Sequence, residues 1–171
     1  MRLPLLAFMI SALLLAACGG DDTSSTASEA DFKTLLGETC TSFYAEAGAL
    51  QTQLSELAIT EQSSEADKEQ ALATVEQIQE RSAQFLDDLR GLPDPPEESA
   101  QEDLAALVDS TESFLEVQGE TFGNVEQILD GTASSADQQA VVEGRSQLEA
   151  ELAEQRVLLS RLDVPECLPP Q

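Results

Sequence analysis

Histidine and tryptophan are absent from the 171-residue chain, and tyrosine occurs once. Without histidine there is no His-activated nucleophile, no imidazole base and no imidazole metal ligand. That excludes most nucleophilic hydrolases and most zinc or copper chemistry. A di-iron bundle built on Glu-x-x-His pairs is excluded on the same ground. One tyrosine and six phenylalanines make no stacking platform for carbohydrate. Basic residues are scarce as well: eight Lys and Arg face 33 Asp and Glu, a formal net charge of −25. Nucleic acid demands Lys and Arg opposite its phosphates, so it is not an expected partner. Anionic lipid headgroups would repel the domain. The charge speaks to solubility and to partners rather than to fold, and a salty habitat or a cationic partner would suit it. No segment matches the D-x-[DN]-x-[DN]-G calcium loop. The sequence calls for no cofactor and no metal.

The N-terminus reads "MRLPLLAFMISALLLAAC". One basic residue, Arg2, precedes an uncharged apolar run that stops at the small residues Ala16 and Ala17. This is the layout of a secretory signal peptide. The run Leu3–Ala17 is 15 residues, short of the roughly 20 that span a membrane, and Pro4 shortens it further. No basic stop-transfer cluster follows. "LAAC" (Leu15–Cys18) resembles the lipobox of bacterial lipoproteins. The resemblance implies that the Cys18 thiol carries a diacylglycerol and that Cys18 is the first mature residue. The bland alternative is an ordinary leader that ends beside a cysteine. Residues 1–17 are thus the expected leader, and 18–28 the lipidated cysteine and a flexible polar tether. Residues 29–171 form the domain. Loss of Arg2 with the leader takes the net charge from −25 to −26. Gly19 rather than Asp after the cysteine is compatible with sorting to an outer membrane where one exists.

Export places Cys40 and Cys167 in an oxidising compartment, where two thiols usually pair. Two free thiols are the alternative. With Cys18 lipidated and the other pair bridged, all three cysteines have a use.

Beyond the tether, apolar residues recur at steps of three and four. Four seams result: Phe32 to Leu57, Leu72 to Leu89, Leu104 to Leu129, and Val141 to Leu162. They predict helices over about 29–59, 64–90, 95–130 and 135–162, and no strand. "RGLPDPPE" ends the second helix, with Gly91 as a left-handed cap. Asp94 is the expected N-cap of the third, with Pro95 at its first position. A capping box is expected from Ser135 and Gln138. The break between the first two helices lacks Gly and Pro. A single helix from 30 to 90 would place Glu61, Ser64 and Lys68 on the apolar side. It would also hold Cys40 roughly 75 Å from Cys167, where a bridge needs Cα atoms within about 7 Å. A break at Ser63–Ser64, with Ser64 as N-cap and Asp67 three on, brings the fourth helix back beside the first. The expected fold is an all-α, up-down-up-down four-helix bundle, its bridge closing a loop of more than 100 residues.

Candidate sites are few. The acidic pairs Asp87–Asp88, Glu97–Glu98 and Glu102–Asp103 read as solvated faces or first-turn charges before they read as acid–base pairs. Gly119 and Gly123 share a helix face and would allow close approach of a neighbour. Ser82, Thr111, Gln118 and Gln155 interrupt the seams, either to bond across the bundle or to line a small pocket. The layout of lipobox, polar tether, early helical cysteine, "GLPDPPE" break and terminal "PEC" (Pro165–Cys167) resembles small, acidic, helical lipoproteins of actinobacterial type. That resemblance implies an envelope protein and no defined activity. The expectation is a non-enzymatic binding, adaptor or spacer module. It would be held at the membrane through Cys18, on the outer face of the cytoplasmic membrane or at the outer membrane, and would meet an envelope protein not identifiable from sequence. A small-ligand or cation carrier is the rival.

Overall fold

The computed structural model describes residues 27–57 and 63–168. The expected leader, Cys18 and the tether as far as residue 26 lie outside the described residues. Regular structure among the described residues is helical throughout: α1 (Glu29–Leu57), α2 (Glu65–Arg90), α3 (Glu98–Leu129), α4 (Ser135–Arg161) and a short 3-10 turn, Pro165–Cys167. The fold is an all-α four-helix bundle.

Local chemistry sets the helix starts. Ser28, expected in the tether, accepts from the Asp31 N–H through its hydroxyl at 3.2 Å, and the Ala27 N–H donates to the Asp94 carbonyl at 3.3 Å. The domain therefore begins by residue 27. Ser64 is extended, at φ −64° and ψ 154°, and accepts from the Asp67 N–H as N-cap of α2, which separates α1 from α2. Three expected caps are corrected. Ser134, not Ser135, is the N-cap of α4, and Asp137, not Gln138, closes its capping box. Gly91 is right-handed, with φ −81°. α3 starts at Glu98 with Glu97 as N-cap, three residues later than expected. Each residue before a proline is driven out of the α region, so "DPP" keeps Asp94 and Pro95 out of the helix. Pro95 is fully buried, and the Gln101 side chain caps its carbonyl at 2.8 Å.

Side-chain contacts give the directions of successive helices. Phe43 stacks on Phe85 at 4.3 Å between centroids, while Glu46, further along α1, reaches back to Arg81. α1 and α2 are antiparallel. Lys68 meets Leu129 and Arg90 pairs with Glu112, so α2 and α3 are antiparallel too. Asp103 pairs with Arg161, Ser110 with Glu151, and Thr121 lies against Gly144, so α3 and α4 follow suit. The tightest pairings are α3 with α4 and α1 with α2. The α1 and α4 backbones hardly approach each other, whereas the 3-10 turn packs on α1.

The core is polarised along the bundle. Phe32, Leu36, Phe85, Leu89, Leu104, Leu107, Leu158, Leu159, Leu162 and Val164 form one apolar cluster around Cys40 and Cys167. All lie toward the end that carries the α1 N-terminus. Beyond it the buried side chains of α2 and α3 include Thr74, Ser82, Ser110, Thr111, Gln118 and Thr121. The α1 stripe continues as Ala47, Leu50, Leu54 and Leu57, which are only half-buried.

Candidate functional site

The most constructed part of the molecule is the apolar end, where the chain after α4 returns to α1. α4 ends at Arg161 with Leu162 as its C-cap, and Asp163 takes φ 55°, a left-handed conformation that Asp tolerates better than most residues. Pro165 forbids further α-helix. The chain turns here and lies along α1, with Val164 2% and Cys167 0% exposed. Cys40 and Cys167 are joined, with Cα atoms 4.9 Å apart across a separation of 127 residues.

Two side chains of α1 reinforce the return. Tyr44 donates its hydroxyl hydrogen to the Cys167 carbonyl at 2.8 Å. Burial holds the Tyr44 hydroxyl pKa above its usual value, against a smaller downward pull from Arg156. Lys33 Nζ lies 3.0 Å from Glu29 and 3.1 Å from Asp163. Its hydrogen bonds to Glu29 and then Asp163 raise its pKa. Being exposed, these pairs contribute little stability. Beside them runs a groove of about 630 Å³, lined in part by Lys33, Gly37, Glu38, Thr41, Asp163 and Glu166.

Arg81, which the helical pattern did not single out, is buried at 7% exposure. Its guanidinium stands 5.8 Å from the Phe43 ring centre and donates to the Ser42 hydroxyl at 3.2 Å. Glu46 lies 2.9 Å and Asp88 3.6 Å away. Nε and Nη1 lack hydrogen-bond geometry, so these two contacts act as charge pairing. A cation at that position was legible only as an Arg one residue before a seam serine.

The remaining candidates divide. Asp87 pairs with Arg90 at 3.8 Å and Asp103 with Arg161 at 3.3 Å, Asp88 faces the buried Arg81, and Glu97 and Glu98 open α3. No group of three or more His, Cys, Asp or Glu among the described residues is arranged to hold a metal ion. Ser82, Thr111 and Gln118 are buried and Gln155 is half-buried. Thr111 bonds the Leu107 carbonyl of its own helix at 2.7 Å; Gln155 reaches the Ser110 carbonyl of α3 at 3.4 Å. Gln118 Oε1 has no hydrogen-bond partner among the described residues. The close approach expected at Gly119 and Gly123 is not found among the described residues: both are exposed, and a β-carbon there would meet none of them within 4 Å. It occurs at Gly144 instead. No described helix is long and apolar enough to cross a membrane.

No family model matches the chain, and neither a curated protein nor a solved structure is similar enough to it to count as a match.

Proposed function

We infer that the protein is an exported lipoprotein, anchored through lipid on Cys18, whose bundle serves as a non-catalytic binding, adaptor or spacer module in the cell envelope. The observation that carries the reading is the disposition of its three cysteines. Cys40 and Cys167 are bonded to each other inside the domain, which leaves Cys18, at the end of "LLLAAC", as the remaining thiol. Two acyl chains hold a protein stably on a bilayer, each buried methylene adding about 0.8 kcal/mol. The geometry suits a spacer. Residues 19–26 reach at most about 30 Å, and they join the domain at its apolar, disulfide-closed end. The helices then carry the polar end outward, by roughly 48 Å along the 32 residues of α3.

Expression in a bacterium that processes lipoproteins, followed by mass spectrometry of the N-terminal peptide, tests the anchor. The diacylglyceryl mass on Cys18 and recovery in the membrane fraction are expected, with Cys18→Ser losing both. Soluble, unlipidated protein from cells that lipidate a control lipoprotein would sink the reading. Crosslinking in the same cells then identifies the envelope partner.

A small-ligand or cation carrier is the second reading, favoured by the groove between α1 and residues 163–166. Calorimetry with calcium and with a polyamine tests it. Absence of saturable heat with both discards it.

A further inference from the structure

We propose that the bond between Cys40 and Cys167 is a one-way closure latch: oxidation fastens residues 163–168 onto α1 as a strap, and this strap closes the α1–α4 side of the bundle, while α2 and α3 join the two hairpins on the other side. The two hairpins are tight units, but α1 and α4 hardly approach each other backbone to backbone. What crosses that side is the strap. It buries Val164 and Cys167 on α1, takes the Tyr44 hydrogen bond and carries the Lys33–Asp163 pair. Away from the apolar end little else closes the seam. The α1 stripe Leu50, Leu54 and Leu57 stays half-buried, α4 exposes Val142, Leu152 and Val157, and the interior between is polar, with Gln118 Oε1 unpaired among the described residues. On the opposite side α2 and α3 stay joined through Lys68–Leu129 and Arg90–Glu112, so the two hairpins turn about that interface.

In the latching step the two thiols lose two protons and two electrons to a disulfide oxidant, which leaves as a dithiol. Both cysteines are 0% exposed once joined. A bulky reductant therefore cannot reach the bond until the strap has already lifted, and the latch, once set, is hard to undo. The inference concerns the domain and stands whether or not Cys18 carries lipid.

Hydrogen exchange and small-angle scattering on the full chain test it in three forms: oxidised, reduced with a small phosphine or dithiol, and Cys40→Ser/Cys167→Ser. Exchange in residues 30–44 and 158–168 is expected to accelerate by at least about tenfold in the reduced and double-serine forms. Residues 65–88 and 100–155 keep their protection, and the radius of gyration rises. Unchanged protection in 158–168 together with an unchanged radius would mean that packing alone closes the bundle. Loss of protection in all four helices at once would mean that the hairpins are not separable. Either result overturns the proposal. Re-oxidation of the reduced chain with oxidised glutathione should restore the compact form.

Discussion

Gly144 in α4 lies so close to Thr121 in α3 that a β-carbon on Gly144 would overlap the Thr121 hydroxyl. That hydroxyl is already committed to the Val117 carbonyl at 2.7 Å, so it cannot swing away freely. Alanine is the better helix former by roughly 1 kcal/mol, yet Gly144→Ala is expected to destabilise the domain by about 1–3 kcal/mol through overpacking. Adding Thr121→Ala should recover most of the loss. Urea titrations of the two single variants and the double variant complete the cycle. Additive losses would show that the two residues do not press on each other.

The opposite sign is expected at Gly119 and Gly123. Neither has a described neighbour within 4 Å of a β-carbon, and both sit in regular helix, so alanine there restricts the unfolded chain without a clash. Each substitution should raise stability by about 0.5–1 kcal/mol in the same titration. A loss at either position would restore the close approach that the shared face of Gly119 and Gly123 predicts.

These glycines show what patterning can and cannot reveal. Helix number, extent and the break at Ser64 were legible because they rest on local rules: a three-four spacing and a serine followed three residues later by Asp67. The disulfide was legible because two thiols and four helices admit little other geometry. Which glycine touches a neighbour depends on the rotation of one helix against another, and α4 gives almost no guide. Its buried residues are only Gly144, Leu158 and Leu159, while Val142, Leu152 and Val157 face solvent. Nor did the seam reveal that the α1 leucines beyond Cys40 lack full cover. Periodicity marks a face as apolar but does not say whether a partner reaches it. The late start of α3 was within reach, since two consecutive prolines bar the α conformation at both preceding residues.

Lys68 fastens the polar end. Its ammonium donates to the Leu129 carbonyl at 2.8 Å, one of the last carbonyls of α3, where helix geometry leaves acceptors unpaired and the dipole favours a cation. The side chain is 13% exposed, whereas its other partner, Glu65, is 85% exposed. Lys68→Met should therefore lower stability by about 1–2 kcal/mol and speed amide exchange in residues 125–130. Glu65→Gln should change stability by less than about 0.5 kcal/mol. Equal effects from the two would assign the interaction to the surface ion pair.

Tyr44 gives the strap a pH dependence with a definite sign. Burial raises its pKa in the folded domain, so folding favours the neutral hydroxyl, the form that donates to the Cys167 carbonyl. The stabilisation is complete below the unfolded tyrosine value of about 10. It fades as pH rises through the higher folded value. At neutral pH, Tyr44→Phe should cost about 1 kcal/mol, the net worth of one hydrogen bond. Between about pH 9 and 11 the wild-type protein should lose stability faster than the variant, and the two curves should converge. Absorbance of the phenolate should also appear at higher pH in the folded protein than in urea, a clean signal because the chain has a single tyrosine. Parallel stability curves, or a phenolate that forms at the same pH folded and unfolded, would show that the hydroxyl is not held by the Cys167 carbonyl in solution.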